Sequence, residues 1–356
     1  MKLIRSLLFI FTLLVLAAAC SASSLSQFAA PTSDPIPTID YSDLGLTKAE
    51  IDTLLSLEQV DEYPLYTMHY YAPYETVSMN ENVNRAKVPT FDTAWGCALF
   101  AAFADSESML FGRNFDWEYS PAVLIYTEPA DGYASVSMVD IKYLGFGSRE
   151  KAQALIDMHL RDHIPLLNTP YLPFDGFNET GLAVGMAAVP SGNMKPEPDK
   201  QTIDSLLVIR EILDHASGID EAVAIIESFN IDYGGGPPLH YMIADSSGQA
   251  VLVEFYQSEM HVIYNEGSWH QATNFLRSSA GESAQGRCWR YDRISDRLGD
   301  SQGQISPKDA MSLLSEVSQE STQWSIVYGM STGDIHVVMG QAYDDVKTLK
   351  FELIDE

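Results

Sequence analysis

From Ala94 onward the chain reads as short apolar runs separated by turns, interrupted once by a pair of amphipathic helices. Ala98–Phe103, Met109–Phe111 and Ala122–Tyr126 open the series as strands. Tyr241–Ala244 and Val251–Phe255 flank the turn Asp245-Ser246-Ser247-Gly248, which makes them a β-hairpin. Met260–Tyr264 and His270–Asn274 add strands, and Trp324–Tyr328, Ser331-Thr332-Gly333-Asp334 and Ile335–Met339 form a further hairpin. Between these groups, Ile203–Ala216 and a segment from Asp220 carry apolar residues at helical spacing and form an αα-hairpin. Strand sets with a helical pair between them predict an α+β fold of layered sheets with helices packed outside. Hydrophobic residues make up 46% of the chain, enough for such a core.

The other end of the chain is of a different kind. Lys2 and Arg5 precede an apolar run, Leu7–Ala19, that leads through small residues into Cys20. This is the anatomy of a secretory signal, and the run falls short of the roughly 20 residues a membrane span needs. Its end is similar to a bacterial lipoprotein signal, in which the cysteine is lipidated. The expectation is therefore a signal peptide over 1–19 and a lipid on Cys20, with an extracytoplasmic, membrane-anchored protein as the result. Plain secretion after Ala19 is the alternative. Residues 20–40, rich in Ser, Ala and Pro, read as a flexible tether, and 41–96 as an N-terminal segment ahead of the domain at 97–356. Within it, Thr47-Lys48-Ala49-Glu50 is a capping box that opens a short helix, and Tyr63–Tyr71 is a strand.

The formal net charge of −28 argues against nucleic acid as a partner, because duplex binding relies on basic patches. The histidines are scattered without metal-ligand spacing, and Gly234-Gly235-Gly236-Pro237-Pro238 precedes a strand, so it is a loop and not a phosphate cradle. No metal and no cofactor are expected. The chain has three cysteines, Cys20, Cys97 and Cys288, too few for a disulfide framework. A free thiol that persists outside the cytoplasm is a candidate for chemistry.

Cys97 is that candidate. It lies in Trp95-Gly96-Cys97-Ala98-Leu99, with Phe111-Gly112-Arg113-Asn114-Phe115-Asp116-Trp117 following at a distance that lets a hairpin bring the two together. Arg113 and Asp116 are three apart and so face opposite sides of an ideal strand; a bulge or bend near Asn114 would be needed to bring both to Cys97. Further along stand Asp175-Gly176-Phe177-Asn178-Glu179-Thr180-Gly181-Leu182, Ala272-Thr273-Asn274 and Trp289-Arg290-Tyr291-Asp292-Arg293. Taken one at a time, these residues have ordinary structural readings. In this order they resemble the motifs of the choloylglycine hydrolase group of N-terminal nucleophile hydrolases, which includes bile salt hydrolases, penicillin V acylases and, more distantly, acid ceramidase.

The resemblance implies an αββα four-layer sandwich of two antiparallel sheets between helices. It also implies a processing cut after Gly96 that frees the α-amino group of Cys97. Such an amine has a pKa of ~7.7–8.0 and can take the thiol's proton without a histidine. In this reading Asp116 orients the amine, Arg113 favours the thiolate and Arg290 holds the charge pattern together. Asn274 donates to the oxyanion, a contribution of roughly 3 kcal/mol in comparable sites. The implied activity is hydrolysis of the linear amide bond of a small N-acylated molecule through an acyl-enzyme. Acyl transfer to an amine and an unprocessed ligand-binding lipoprotein are the alternatives, and homo-oligomerisation stays open. Two positions depart from the pattern. Ala98 follows the nucleophile where many relatives carry Thr or Ser, and Ala188 stands where bile salt hydrolases place Asn and penicillin acylases Tyr. A side chain that helps set substrate choice is therefore missing. Cys288 is read as structural.

Overall fold

The first helix forms where the capping box places it. The Thr47 side chain accepts from Glu50 N, and the Glu50 carboxylate accepts from Thr47 N at 2.7 Å, so two donors of the helix start are satisfied. The structure is a computed structural model that describes residues 41–75, 96–192, 194–280 and 283–354. The expected signal peptide, Cys20 and the tether lie outside the described residues.

In chain order the first elements are α1 (Lys48–Leu55), β1 (Glu58–Asp61), β2 (Leu65–Tyr70), β3 (Gly96–Ala102), β4 (Leu110–Asp116), β5 (Ala122–Thr127) and β6 (Ser135–Asp140). Short helices α2 (Arg149–Ala154) and α3 (Leu160–His163) lead to β7 (Asp175–Asn178), β8 (Ala183–Ala188) and β9 (Gln201–Asp204). The helical pair is α4 (Leu207–His215) and α5 (Ile219–Ser228), followed by β10 (Phe229–Asp232), β11 (Leu239–Ala244), β12 (Ala250–Tyr256), β13 (Glu259–Tyr264) and β14 (Trp269–Ala272). The last elements are α6 (Trp289–Asp300), α7 (Pro307–Glu316), β15 (Thr322–Gly329), β16 (Asp334–Met339) and β17 (Lys347–Lys350).

Among the described residues the strands form a nine-stranded sheet, β1-β2-β5-β6-β7-β8-β11-β12-β13, a six-stranded sheet, β14-β3-β4-β15-β16-β17, and the pair β10-β9. Both large sheets are antiparallel except at one junction. There β2 runs parallel to β5, with Leu65 opposite Ala122. The reason is topological, since β2 arrives from the segment ahead of Gly96 and no hairpin joins it to β5.

Strand alternation sorts the side chains into layers. Leu99, Phe111 and Phe115 of the six-stranded sheet share one buried core with Leu124, Val136 and Val184 of the nine-stranded sheet. The opposite face of the six-stranded sheet, with Ala98, Phe100 and Leu110, packs on Ile294, Leu298 and Leu314 of α6 and α7. Val123 and Ile125 turn outward from the nine-stranded sheet onto Leu54 of α1 and Leu155 and Leu166. Arg210 of α4 donates to the hydroxyls of Thr127, Ser135 and Ser137 on that same outer face. The result is the α+β, αββα sandwich expected.

Ile203 belongs to β9, opposite Ile231, and not to the first helix of the pair as expected. Asp204 Oδ1 accepts from Leu206 N at 2.9 Å, a local turn that separates strand from helix. The hairpin at Asp245 forms as read. Its carboxylate accepts from Ser247 N at 2.9 Å, and Gly248 has a φ of 87°, a conformation glycine adopts without a Cβ clash.

Candidate active site

β3 and β4 pair without a register shift, placing Gly96 opposite Asp116, Cys97 opposite Phe115 and Leu99 opposite Arg113. No bulge near Asn114 therefore interrupts this hairpin, and the two charged residues do face opposite sides of β4. Arg113 points with Cys97 into the space between the sheets, while Asn114 and Asp116 face the helix layer, where Asn114 Nδ2 donates to Leu314 O at 2.8 Å. The irregularity sits on the other side of β4, where β15 shifts register between Thr322 and Trp324 at the level of Asp116. Both charged residues still lie near Cys97, Arg113 at its thiol and Asp116 joined through Arg290 to its carbonyl.

At the thiol, Arg113 Nη2 lies 3.8 Å from Cys97 Sγ. The guanidinium is fully buried, and its other arm donates to Phe174 O at 2.6 Å and to the carboxylate of Asp175. Asp175 in turn accepts from the hydroxyl of Tyr328. Burial pushes the Cys97 thiol above its ordinary value and the Asp116 carboxylate adds to this, while Arg113 and Arg290 oppose it. The expected pull of Arg113 toward thiolate is thus one contribution among several, and burial exceeds it.

At the backbone, the ladder partner of β3 runs out. β14 ends at Ala272, opposite Leu99, so the edge of Cys97 has no strand beside it. Asn274, two residues further, supplies the missing acceptor. Its Oδ1 takes the Cys97 N–H at 2.7 Å and an Arg290 N–H at 2.7 Å, and its Nδ2 donates to Ala188 O at 2.8 Å. Two donors on one side and a carbonyl on the other fix which way the amide points. In this state the Asn274 NH₂ is engaged by Ala188, and the amide oxygen holds the nitrogen of Cys97. Arg290, in the first turn of α6, spans the gap, donating to Cys97 O at 2.8 Å and to Asp116 Oδ2 at 2.9 Å.

With the Gly96–Cys97 bond intact, the Cys97 N–H goes to Asn274, and Asp116 has other partners. Its carboxylate is filled by Arg290, by Gln319 Nε2 at 2.7 Å and by the Thr322 hydroxyl. Gly96 leaves room for this group: a Cβ there would collide with Gln319 and stand 2.8 Å from Asp116 Oδ2. All six residues singled out from the sequence, Gly96, Cys97, Arg113, Asp116, Asn274 and Arg290, are brought together. Three partners escape sequence reasoning. Asp175 stands within one of the motifs but with no role assigned to it, and Gln319 and Thr322 carry no local signal, since only the return of β15 brings them to Asp116. Cys288 precedes α6 as a free thiol. Burial raises it, but the backbone N–H of Tyr291, the Thr273 side chain and Arg290 outweigh that and bring it below its ordinary value.

Residues 97–282 match the family model of linear amide C–N hydrolases, choloylglycine hydrolase family. The chain belongs to this family. It is accordingly a hydrolase of the N-terminal nucleophile type that acts on non-peptide C–N bonds in linear amides, and the substrates of the family are small N-acyl amides. Among solved structures it is similar to a mutant of conjugated bile acid hydrolase from Clostridium perfringens. The identity is 16%, over 71% of this chain and 92% of that one, with a TM-score of 0.51. Penicillin V acylase from Agrobacterium tumefaciens is 14% identical over 71% of this chain and 91% of that one, with a TM-score of 0.47. The first of these likenesses shows a common fold. No group of histidine, cysteine and acidic residues among the described residues could hold a metal ion.

Proposed function

We propose that Cys97 is the nucleophile of this family member, released by the chain's own scission of the Gly96–Cys97 bond. The observation that carries the reading is the convergence on one residue: Arg113 at its sulfur, Asn274 at its nitrogen and Arg290 at its oxygen. In the scission, the thiol attacks the Gly96 carbonyl, the C–N bond breaks and the Cys97 nitrogen takes the proton. Water then hydrolyses the Gly96 thioester. Gly96 has no Cβ, so the carbonyl can be approached while Asp116 and Gln319 pack beside it.

The freed amine stays beside the Asn274 oxygen and has a pKa of ~7.7–8.0 before its surroundings act on it. It takes the thiol proton as the sulfur attacks the acyl carbon of an N-acylated small molecule, then passes that proton to the departing amine. Arg113 stabilises the sulfur anion in transit. Water, deprotonated by the same amine, releases the acid. Once substrate competes for its NH₂, Asn274 is the side chain nearest the new oxyanion. Ala188 offers no side chain that would favour one acyl group, so the substrate is set by shape and not by a polar contact at that position.

N-terminal sequencing of purified protein, followed by a panel of N-acyl amides, tests the reading. A fragment beginning at Cys97 and hydrolysis lost at least about a thousandfold in Cys97→Ala are expected. Active protein with an unbroken chain through Gly96–Cys97 would refute it. Product analysis with added amine separates hydrolysis from acyl transfer. The sequence from Lys2 to Cys20 further supports an extracytoplasmic enzyme carried on a lipid at Cys20.

A further inference from the structure

Outside the constellation around Cys97, the nine-stranded sheet buries a second polar group that no step above uses. Glu254 of β12 and His240 of β11 are both inaccessible to solvent, and His240 Nδ1 lies 3.0 Å from Glu254 Oε1. Burial pushes the Glu254 carboxyl up, yet His240 and the N–H groups of Ser278 and Arg277 outweigh that and hold it below its ordinary value. An ionised carboxylate can only accept, so Nδ1 of His240 carries the hydrogen. Nε2 of His240 has no partner among the described residues. A buried ion is costly unless its oxygens are filled, so the use of this one calls for a reason.

The reason lies in what its oxygens hold. Glu254 Oε1 accepts from Arg277 N at 2.9 Å and Oε2 from Ser278 N at 2.8 Å. These are consecutive backbone groups in the loop that leaves β14 and carries Asn274. The loop is fixed on its far side as well, because Arg277 Nη1 donates to the Tyr291 hydroxyl at 2.6 Å and Phe275 packs edge-on against Tyr291. Tyr291 is the neighbour of Arg290. β11 also pairs with β8, whose last residue, Ala188, receives the Asn274 NH₂. The carboxylate therefore ties a loop of one sheet to the strands of the other, three residues from the amide that contacts the nucleophile.

We propose that Glu254, oriented by His240, is a positioning residue that sets the place of the Asn274 amide at Cys97. This rests on the reading of Cys97 as nucleophile. A misplacement of about 1 Å in such a group costs on the order of a hundredfold in rate. Glu254→Gln keeps size and one acceptor but turns an NH₂ toward a backbone N–H, and His240→Leu removes the donor. His240→Asn restores it, since an asparagine NH₂ occupies the place of Nδ1.

The full chain is assayed with N-acyl p-nitroanilides, with circular dichroism to measure the folded fraction. Glu254→Gln and His240→Leu are expected to lower kcat about tenfold to a hundredfold with KM changed less than about twofold, and His240→Asn to recover most of the loss. Unchanged kcat in Glu254→Gln, or losses that only follow the folded fraction, overturn the proposal. So does a His240→Asn chain as slow as His240→Leu. A crystal structure of Glu254→Gln gives an answer free of the chemistry: Asn274 must leave Ala188 O, and an unmoved amide refutes the positioning role. If Cys97→Ala hydrolyses like the wild type, the nucleophile reading fails instead, and the position of Asn274 in that crystal still judges Glu254.

Discussion

Buried charge at single residues takes two forms in this molecule. Arg113, Asp116, Arg210 and Glu254 are fully enclosed, and each is met by several hydrogen-bond partners, which is the condition under which a buried ion is tolerated. Asp140 is not so supplied. Its Oδ1 accepts from Lys142 N at 2.9 Å, while Oδ2 has no hydrogen-bond partner among the described residues, and burial pushes the carboxyl up to about 7. That direction fixes the sign of the pH effect. Between the ordinary value of 3.8 and about 7 the unfolded chain has released this proton and the folded chain has not, so stability falls as pH rises through that window and levels off above it. Asp140→Asn removes the penalty. Urea titrations should show the variant gaining on the wild type from pH 4 to 7, by about 1–4 kcal/mol at the upper end, with no gain at pH 4. A constant difference across that range would contradict the assignment.

At the scale of elements, β4 is held from both faces by residues of opposite character. Arg113 and Phe115 point inward to the shared core, with the Phe115 ring stacked 4.0 Å from Trp324 between centroids. Asn114 points outward and joins β4 to the last turn of α7 through Leu314 O, while its Oδ1 accepts from the Ser325 hydroxyl at 2.6 Å. Asn114 thus fixes the helix layer to the strand that carries the arginine. Asn114→Ala takes the donor from the Leu314 carbonyl in a closed space, while the Ser325 hydroxyl keeps Tyr343, which should cost about 1–3 kcal/mol in chemical denaturation. A loss under about 0.5 kcal/mol would mean that water fills the place without cost. The sequence showed β3 and β4 as strands because apolar residues run through both. It did not show that their pairing is regular, because a bulge belongs to the fit between strands and has no composition of its own.

For the whole molecule, the segment ahead of Gly96 is part of the sheet. β2 lies between β1 and β5, and Tyr66 and Met68 are buried in the core that faces α1. Its end is tied down too, with the Tyr70 hydroxyl donating to Leu167 O at 2.9 Å and that of Tyr74 to Asp214 at 3.1 Å. The proposed scission at Gly96 would remove none of these contacts. The two pieces should therefore copurify without denaturant and separate in urea. If Cys20 carries lipid, 97–356 should stay on washed membranes through its partner piece, and Cys20→Ala should release both together. Recovery of 97–356 alone in the wash would show that the sheet does not hold.

Local residue order was enough to place several of the strands, most of the helical pair and the capping box at Thr47, and to single out six residues around Gly96–Cys97. Each of these depends on periodicity or on motifs a few residues long, and short-range sterics and hydrogen bonding act on the chain directly. What the folded chain alone decided is how distant groups complete one another. The ending of β14 leaves a backbone edge for Asn274, the return of β15 carries Thr322 to Asp116, and two strands from the other sheet bring Glu254 to the Asn274 loop. These partners stand far apart in the chain. Their meeting is set by packing two twisted sheets face to face, a property of the assembled layers that no single stretch of residues contains.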